Sequence, residues 1–395
     1  MAEAREIVVL SAVRTAIGTY GGSLAGTPPT ELGATCVRAS VDRAGIASED
    51  VGHVVFANVI HTQPKDMYMS RVVAVNGGLP VETPAFTVNR LCGSGLQAIV
   101  SAAQLIQLGD ASCTVAGGAE CMSRAQYWIP GLRFGQRMND GQVIDAMVGA
   151  LTDPFDDCHM GITAENVAER WDVSREDQDA LAVESQQRAA RAIEAGYFKD
   201  QIVPVEIRRK REMVAFDTDE HVRGDATVEG LAKLRPVFRK DGSVTAGNAS
   251  GINDAAASVV LMDGEMAEQR QLKPLARLVG YAFAGVEPKY MGIGPVPATR
   301  HLLETTGLSV DDIDVFEVNE AFAAQALAVA RDLGLPPEKT NPNGSGISLG
   351  HPIGATGCII TVKAIQELHR SGGRYALVTM CIGGGQGIAA IFERI

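Results

Sequence analysis

Three short segments of the chain combine a cysteine or a histidine with glycine-rich backbone. Cys92 is followed by Gly-Ser-Gly and then by a stretch that carries no charge through Gly109. His351 precedes a proline in a glycine-rich segment, and Cys381 lies two residues before a run of three glycines. Such segments can supply a nucleophile, a base, a proton shuttle and nearby N–H donors. The sequence therefore predicts a cysteine nucleophile that works with a histidine base.

The position of Cys92 predicts a reactive thiol. The Gly-Ser-Gly turn lets the backbone approach a substrate closely, and the first turn of the following helix offers unpaired N–H groups that point toward Cys92. The helix dipole favours a thiolate there and lowers a cysteine pKa from about 8.5 into the range of roughly 3.5–7.5. The alternative is a buried free cysteine, which is common in cytosolic proteins. Taken alone, Cys92 fits both interpretations equally well.

The helices that follow Cys92 and His351 should both be buried. After Cys92 the few polar positions form one narrow stripe, and the stretch 353–362 after His351 contains no charge. A helix that is apolar on nearly every side lies inside a protein. We therefore expect the two helices to meet in the centre of the molecule and to bring Cys92 and His351 together.

The chain also contains an internal repeat. Residues 38–59 and 300–321 align in phase: in both, a helix ends at a glycine (Gly45 or Gly307), an acidic turn follows, and an apolar strand comes next. Two copies of one α/β unit therefore flank a large insertion.

Shorter patterns predict further elements. The apolar runs at 7–10, 113–116, 257–261 and 375–378 suit strands that are covered on both faces. In the insertion, the polar stretch 165–198 predicts helix, with Ser174 as an N-cap and Gly196 as a stop.

With these segments, the chain resembles the thiolase family over residues 5–395. It is most similar to the bacterial biosynthetic β-ketothiolases, or acetyl-CoA C-acetyltransferases, and among them to broad-specificity enzymes that supply polyester precursors. Besides the three segments above, four motifs carry the resemblance: Ala-Gly-Gly-Ala-Glu at 116–120, His-Met-Gly-Ile-Thr-Ala-Glu at 159–165, Thr-Ala-Gly-Asn-Ala-Ser-Gly at 245–251 and Val-Asn-Glu-Ala-Phe at 318–322.

The resemblance implies the thiolase fold, an α/β fold of two similar βαβαβαββ-type halves stacked as five layers (αβαβα) with an inserted loop domain. The N-terminal half would comprise residues 1–120 and 250–272, and the C-terminal half residues 273–395. The loop domain, residues 121–249, would bind coenzyme A and support tetramer assembly through its early part near residues 122–139.

The resemblance also implies a reaction: reversible Claisen condensation of acetyl-CoA with acetyl-CoA or another short acyl-CoA, and thiolysis of short 3-ketoacyl-CoA in reverse. Cys92 would attack the acyl carbonyl while His351 takes its proton. The backbone N–H groups of Cys92 and Gly383 would hold the oxyanion. Cys381 would then remove a proton from the methyl group of acetyl-CoA, while His351 and a water held by Asn319 polarise the thioester oxygen.

Several of these residues have ordinary structural alternatives. An asparagine between a strand and a helix usually caps the helix, so spacing alone favours a cap at Asn319. Cys381 could be an inert core thiol. His159 lies beside Cys158, but adjacent ligands without a matching second pair make a zinc site improbable. We expect no metal and no cofactor, since the coenzyme A thioesters are substrates.

Seven further residues are carried over from the family as binding residues. They are His159 and Met160 near the thioester, Met291 and Phe322 along the acyl pocket, Ser250 and Ala246 near the pantetheine, and Arg223 near the adenosine phosphates. For Met160, Met291 and Phe322 the alternative is core packing, and for Arg223 it is a surface salt bridge. Two positions depart from the family pattern, because Cys121 and Gly230 stand where serine is more common; Gly230 weakens the expected set of nucleotide contacts.

The length and charge of the chain limit the number of domains and the kinds of binding partner. A chain of 395 residues suggests two or three domains. The net charge of −12 argues against nucleic acid or an anionic membrane as a partner. Between residues 207 and 240, however, basic residues outnumber acidic ones by nine to six. Such a stretch is usually a salt-bridged surface, but it could also receive the phosphates of coenzyme A, which the resemblance favours.

Cysteine usage and the N-terminus indicate the compartment. The seven cysteines are odd in number and show no Cys-x-x-Cys spacing, which favours a reducing environment. There is no run of 18 apolar residues, and the first residues lack a signal-peptide layout. We expect a cytoplasmic protein, and the resemblance implies a homotetramer.

Three other functions remain open. One is a degradative thiolase that acts on longer chains. A second is a decarboxylating condensing enzyme of the same fold, which should lack the second cysteine, so that Cys381 argues against it. The third is a non-catalytic acyl-CoA-binding protein with a decayed site, although competent residues occupy all four catalytic side-chain positions.

Overall fold

The computed structural model describes residues 5–395. Its strands, numbered in chain order, are β1 (Ile7–Arg14), β2 (Gly18–Thr19), β3 (His53–Ala57), β4 (Ala85–Val88), β5 (Cys113–Cys121), β6 (Tyr127–Trp128), β7 (Ile144–Asp145), β8 (Val205–Arg209), β9 (Glu212–Phe216), β10 (Asn253–Asp263), β11 (Ala276–Gly285), β12 (Val315–Val318), β13 (Tyr375–Ile382) and β14 (Gln386–Arg394). The α-helices are α1 (Pro29–Ala44), α2 (Met69–Asn76), α3 (Ser94–Leu108), α4 (Ala146–Ala150), α5 (Met160–Arg170), α6 (Arg175–Glu194), α7 (Val228–Leu231), α8 (Gly264–Gln269), α9 (Pro295–Thr306), α10 (Ala323–Leu333), α11 (Gly346–Leu349) and α12 (Ile353–Ser371).

Two half-sheets form the centre of the molecule. Their strands follow one hydrogen-bonded path, β12-β13-β14-β11-β1-β10-β5-β3-β4, with β2 paired to β10. The halves join where β1 pairs with β11, through Val8 with Arg277 and Val9 with Ala276. Each half-sheet is mixed, because β3 is parallel to β4 and β5, and β12 to β13, while the other pairings are antiparallel. All four predicted strands are present, as β1, β5, β10 and β13.

Helices α3 and α12 lie between the half-sheets. Helix α12 packs on β1, β5 and β10 of the first half-sheet and on β12, β13 and β14 of the second, and α3 packs beside it. On the other side of the first half-sheet lie α1 and α2, while α9 packs on β11, β13 and β14 of the second, with α10 beside it. This is the five-layer arrangement that the resemblance implied.

The internal repeat is confirmed by two matching units. Helix α1 is followed by Gly45 with φ 68°, and α9 by Gly307 with φ 70°. In each case a short 3₁₀ turn follows, Ser48–Asp50 or Val310–Asp312, and leads into β3 or β12. The residue that ends each helix has a left-handed backbone conformation, which glycine adopts without strain.

The central helices touch through their backbones, as their apolar sequences predicted. A Cβ atom on Gly95 of α3 would lie 2.6 Å from the backbone nitrogen of Cys358 in α12, so only glycine permits this approach. By length and composition alone, the window Leu91–Leu108 could span a membrane, with mean hydropathy 1.3. The same composition suits a core helix, and 56% of the window is buried inside the protein.

Residues between β5 and β10 contribute no described strand to the central sheet. Strand β6 pairs with β7 and β8 pairs with β9. The predicted helical stretch at 165–198 is divided into α5 and α6, and Ser174 caps α6 by accepting a hydrogen bond from the backbone N–H of Asp177 at 3.1 Å. After α6 the chain turns at Gly196, with φ 75°. The predicted cap and stop are thus confirmed.

Candidate active site

One pocket of about 420 Å³ opens where the first turns of α3 and α12 meet. It is lined by nine of the twelve predicted site residues: Cys92, His159, Met160, Ala246, Ser250, Met291, Phe322, His351 and Gly383. Asn319 and Cys381 do not line it because both are fully buried next to its walls. Arg223 lies outside the lining, so its contact with the adenosine phosphates stays a prediction.

Strained backbone holds Cys92 at the pocket floor. Leu91 adopts φ 44°, a left-handed conformation that is uncommon for a leucine. Its N–H donates to Oδ1 of Asn89 at 3.0 Å. The buried hydroxyl of Ser94 accepts from the N–H of Arg90 at 2.7 Å and donates to the carbonyl of Leu91 at 2.6 Å. These bonds fix the turn, and they leave the thiol at the start of α3.

The N–H donors around the thiol differ from those expected at the helix start. The N–H of Gly93 donates to Arg90 and that of Ser94 to Leu91, both at 3.0 Å. These two groups are therefore paired within the turn, and the expectation that they would be free to face the thiol is wrong for them. The N–H groups that stabilise a thiolate of Cys92 belong to Gly383 and to Cys92 itself.

The expected low pKa of Cys92 is also wrong. Burial raises the pKa of its thiol to about 11, and the N–H groups of Gly383 and Cys92 offset only part of that effect. The cause is the apolar surroundings, because Cys92 packs against a buried cluster that includes Ile60, Met122 and Ile353. At neutral pH Cys92 is therefore a thiol, so nucleophilic attack by its sulfur would need a base to take the proton.

His351 is arranged as such a base. Its Nδ1 lies 2.7 Å from the hydroxyl of Thr356, which donates its only proton to the carbonyl of Pro352 at 2.9 Å. Thr356 therefore accepts from Nδ1–H, and the lone pair of the imidazole lies on Nε2. Burial lowers the pKa of His351 to about 4, which keeps the ring neutral at physiological pH. Pro352 directly precedes Ile353, the first residue of α12.

Asn319 faces the same ring. Its Nδ2 lies 3.5 Å from Nε2 of His351, and its Oδ1 is buried without a hydrogen-bond partner among residues 5–395. Helix α10 begins at Ala323, after Phe322, so Asn319 is not its cap. The helix-cap alternative is therefore wrong, and the amide of Asn319 lies next to the imidazole of the pocket residue His351.

Cys381 lies near the end of β13, just before the glycine turn. Its side chain is fully buried and packs in one cluster with Met160, Met291 and Phe322. Burial, and then a charge on Cys92, raise the pKa of Cys381, which places the two thiols within electrostatic reach of each other. Met160, Met291 and Phe322 therefore pack in this apolar cluster and also line the pocket.

His159 is fixed as the N-cap of α5. Its Nδ1 accepts from the N–H of Gly161 at 3.0 Å, so the proton of the neutral ring lies on Nε2. Burial lowers the pKa of His159 and favours this neutral form. The ring stacks on Phe238, with centroids 4.7 Å apart and planes 16° apart. His159 can therefore donate a hydrogen bond into the pocket without a charge.

Part of the pocket wall was missed by reasoning from the sequence. These residues include Thr19, Tyr20, His221, Val237 and Phe238. Their segments show no recurrent spacing in the sequence. These residues line the pocket because the loop after β1 and part of the insertion fold against it. His221 lies two residues before Arg223, so the predicted phosphate contact was the one available signal for that segment.

The rate at which iodoacetamide alkylates Cys92 should rise about tenfold per pH unit from pH 7 to 10. The thiolate is the reactive species, and its fraction grows in this way at every pH below a pKa of about 11. The measurement is labelling at several pH values followed by peptide mapping. A rate that levels off between pH 6 and 8.5 would show instead a thiolate stabilised by His351. Cys158, which is half-buried like Cys92 but does not line the pocket, provides the internal comparison.

The sequence profile of the thiolase N-terminal domain matches residues 7–265, and that of the thiolase C-terminal domain matches residues 272–394. The beta-ketothiolase BktB of Cupriavidus necator is 66% identical over 392 residues, which cover 99% of this chain and 100% of that protein. The acetyl-CoA acetyltransferase of Chromobacterium violaceum is 52% identical, over 98% of this chain and 100% of its own length.

A solved structure extends the comparison to the fold. Human mitochondrial 3-ketoacyl-CoA thiolase in complex with CoA superposes with a TM-score of 0.96 at 44% identity, covering 100% of this chain and 99% of that one. The predicted fold class is thereby confirmed.

Proposed function

This chain belongs to the thiolase family, and we propose that it catalyses the reversible Claisen condensation of acetyl-CoA with acetyl-CoA or another short acyl-CoA, together with the reverse thiolysis. The observation that carries this proposal is the placement of Cys92, His351 and the Gly383 backbone at one pocket, with Cys381 beside it. Its substrates are acetyl-CoA, short acyl-CoA and free coenzyme A. The chain itself supplies the nucleophile, the bases and the N–H donors, so we propose no metal and no cofactor.

In the first half-reaction, Nε2 of His351 takes the thiol proton as the sulfur of Cys92 attacks the carbonyl carbon of acetyl-CoA. Negative charge then develops on the carbonyl oxygen, and the N–H groups of Cys92 and Gly383 receive it. When the intermediate collapses, the bond between carbon and the sulfur of coenzyme A breaks, and His351 returns the proton to that sulfur. A neutral base suits this cycle because it begins and ends uncharged.

In the second half-reaction, the thiolate form of Cys381 takes a proton from the methyl group of a second acetyl-CoA, and the resulting carbanion attacks the acyl carbonyl on Cys92. As the new carbon–carbon bond forms, the thioester bond to Cys92 breaks, and the proton held by Cys381 passes to the departing sulfur of Cys92. A negative charge on Cys92 is one of the two causes that raise the pKa of Cys381. Acylated Cys92 carries no such charge, so this cause is absent during the second half-reaction. Nε2 of His351 and a water held by Asn319 polarise the thioester oxygen. Donation from Nε2 requires the other neutral tautomer, in which Nδ1 has lost its proton and Nε2 has gained one by exchange with solvent. The hydroxyl of Thr356 then rotates to donate to Nδ1.

A thiolysis assay tests the proposed function. We expect turnover of acetoacetyl-CoA and 3-ketovaleryl-CoA with free coenzyme A, followed as loss of the ketoacyl absorbance, and little turnover of 3-ketohexadecanoyl-CoA. Efficient use of the longest substrate would move the enzyme to the degradative branch. No turnover of any of the three substrates would favour a non-catalytic acyl-CoA-binding protein.

We also propose that the protein is a cytoplasmic homotetramer. The odd number of cysteines supports a reducing compartment. Large apolar side chains are exposed in the early loop segment, including Phe134 at 90% and Met138 at 79%, and such patches mark association surfaces.

Light scattering tests the assembly. We expect a mass of four chains of 41.6 kDa, and Phe134→Asp should reduce it because the charge would be buried at the contact. Met213→Asp, at an exposed position of β9 outside that segment, should leave the mass unchanged. A tetramer that tolerates Phe134→Asp would place the contact elsewhere.

A further inference from the structure

A buried carboxylate joins the two halves of the candidate site. Glu120, near the end of β5, is fully buried. Its Oε1 accepts from the side-chain amide of Asn58 and the N–H of Ile60, both at 3.0 Å. Its Oε2 accepts from the N–H of Val59 at 3.0 Å and from that of Gly354 at 2.9 Å. One side chain therefore binds the loop after β3 and the first turn of α12.

All four partners of Glu120 are N–H donors. A protonated carboxyl group would turn an O–H toward one of them, so four N–H donors favour the ionised form. The pKa of Glu120 is raised to about 7 because burial raises it by more than the N–H groups of Ile60, Val59 and Gly354 lower it. The N-terminus of α12 adds a favourable dipole. A carboxylate with four donors is a rigid link between the segments that supply them.

The two linked segments are those on which the catalytic pair rests. Val59 and Ile60 pack in the same apolar cluster as Cys92. Gly354 lies three residues after His351, in the first turn of the helix that His351 precedes. A Cβ atom on Gly354 would lie 2.6 Å from Oε2 of Glu120 and 3.2 Å from Cα of Asn58, so the helix backbone rests directly on the carboxylate.

We propose that Glu120 is a positioning residue for acyl transfer: it fixes the first turn of α12, and with it the imidazole of His351, at the distance from Cys92 that proton transfer needs. This inference rests on the proposed function for its reaction, but its structural content is independent of which thioester reacts. Glu120 does not line the pocket, so its effect is on geometry and not on substrate contact.

The test compares Glu120 with a second buried carboxylate that holds a different wall. Glu165 of α5 accepts from the N–H groups of Ser243 and Val244, and so fixes the segment that leads to the pocket residues Ala246 and Ser250. Glu120→Gln should lower the rate constant of acylation by acetyl-CoA about tenfold or more, with KM within about twofold, because misplaced reacting groups cost rate. Glu165→Gln should instead raise KM. A loss of general stability would move both variants alike.

Milder variants and a second substrate keep the test decisive. Asn58→Ala removes one donor and should lower the acylation rate a few-fold with KM unchanged. Glu120→Asp keeps the charge and should retain more activity than Glu120→Gln. The burst of nitrophenolate from p-nitrophenyl acetate, corrected with Cys92→Ser, should fall in the same order, since it reads the Cys92–His351 geometry without coenzyme A.

The proposal is overturned if Glu120→Gln folds and acylates at the wild-type rate. It is also overturned if Glu120→Gln and Glu165→Gln change the acylation rate constant and KM in the same way. If Glu120→Gln does not fold, a wild-type rate in Asn58→Ala overturns it. If the wild-type protein turns over no acyl-CoA, the proposed function fails, and the nitrophenyl ester series still decides the role of Glu120.

Discussion

Cys92→Ser is expected to lower both condensation and thiolysis by about 10⁴-fold or more, since the loss of a nucleophile has the largest effect of any single change in a covalent mechanism. A serine hydroxyl ionises far less readily than a thiol, even one whose pKa burial has raised to about 11. His351, with its pKa lowered to about 4 by burial, is too weak a base to compensate. Steady-state rates in both directions, with mass spectrometry of the acylated protein, measure the effect.

The matched control is Cys113→Ser. Cys113 begins β5, is 1% exposed and is remote from the pocket lining, so this variant carries the same buried exchange without touching the reaction. We expect wild-type rate constants from it, with some loss of thermal stability. If Cys92→Ser keeps a tenth of the wild-type turnover, another residue is the nucleophile.

Local patterns were sufficient for the elements that carry the site. The repeat at Gly45 and Gly307, and the apolar runs that became β1 and β13, depend on neighbours in sequence. The meeting of α3 and α12 followed from their composition, because a helix without a polar face must pack on all sides. Cys92 and His351 were thus predicted to lie together, and both line one pocket.

The electrostatics of the site could not be predicted in this way. The pKa of Cys92 depends on desolvation by side chains from distant segments, including Ile60, Met122 and Ile353. A helix N-terminus is visible in the sequence, but the apolar walls that oppose its effect are not. Likewise, the ring of Phe238 that supports His159 comes from a segment with no recurrent pattern. Long-range packing determined both features.

The four N–H donors of Glu120 show the same limit. The motif Ala-Gly-Gly-Ala-Glu marks the residue as part of the family pattern, but nothing in its spacing points to Asn58 or Gly354. A carboxylate in an apolar strand predicts a buried partner without naming it. Only the assembled halves show that the partners are three backbone N–H groups and one side-chain amide, in segments next to Cys92 and His351.

Cys381→Ser should separate the two half-reactions. The acylation of Cys92 uses His351 and the N–H groups of Cys92 and Gly383, none of which the substitution removes, so the burst of free coenzyme A from acetyl-CoA should stay within about threefold of wild type. Condensation should fall by about 10²–10⁴-fold, the usual worth of a positioned general base, since serine does not ionise in this buried cluster.

Deuterium exchange identifies the step that is lost. In D₂O the wild-type enzyme should incorporate deuterium into the methyl group of acetyl-CoA, because the proton removed by the thiolate of Cys381 exchanges with solvent. Cys381→Ser should abolish that exchange while acyl-Cys92 still accumulates, and Cys113→Ser should behave as wild type. Equal loss of the coenzyme A burst and of the exchange would mean that Cys381 is not the second base. Because a charge on Cys92 raises the pKa of Cys381, only a measurement that scores each half-reaction separately can assign their roles.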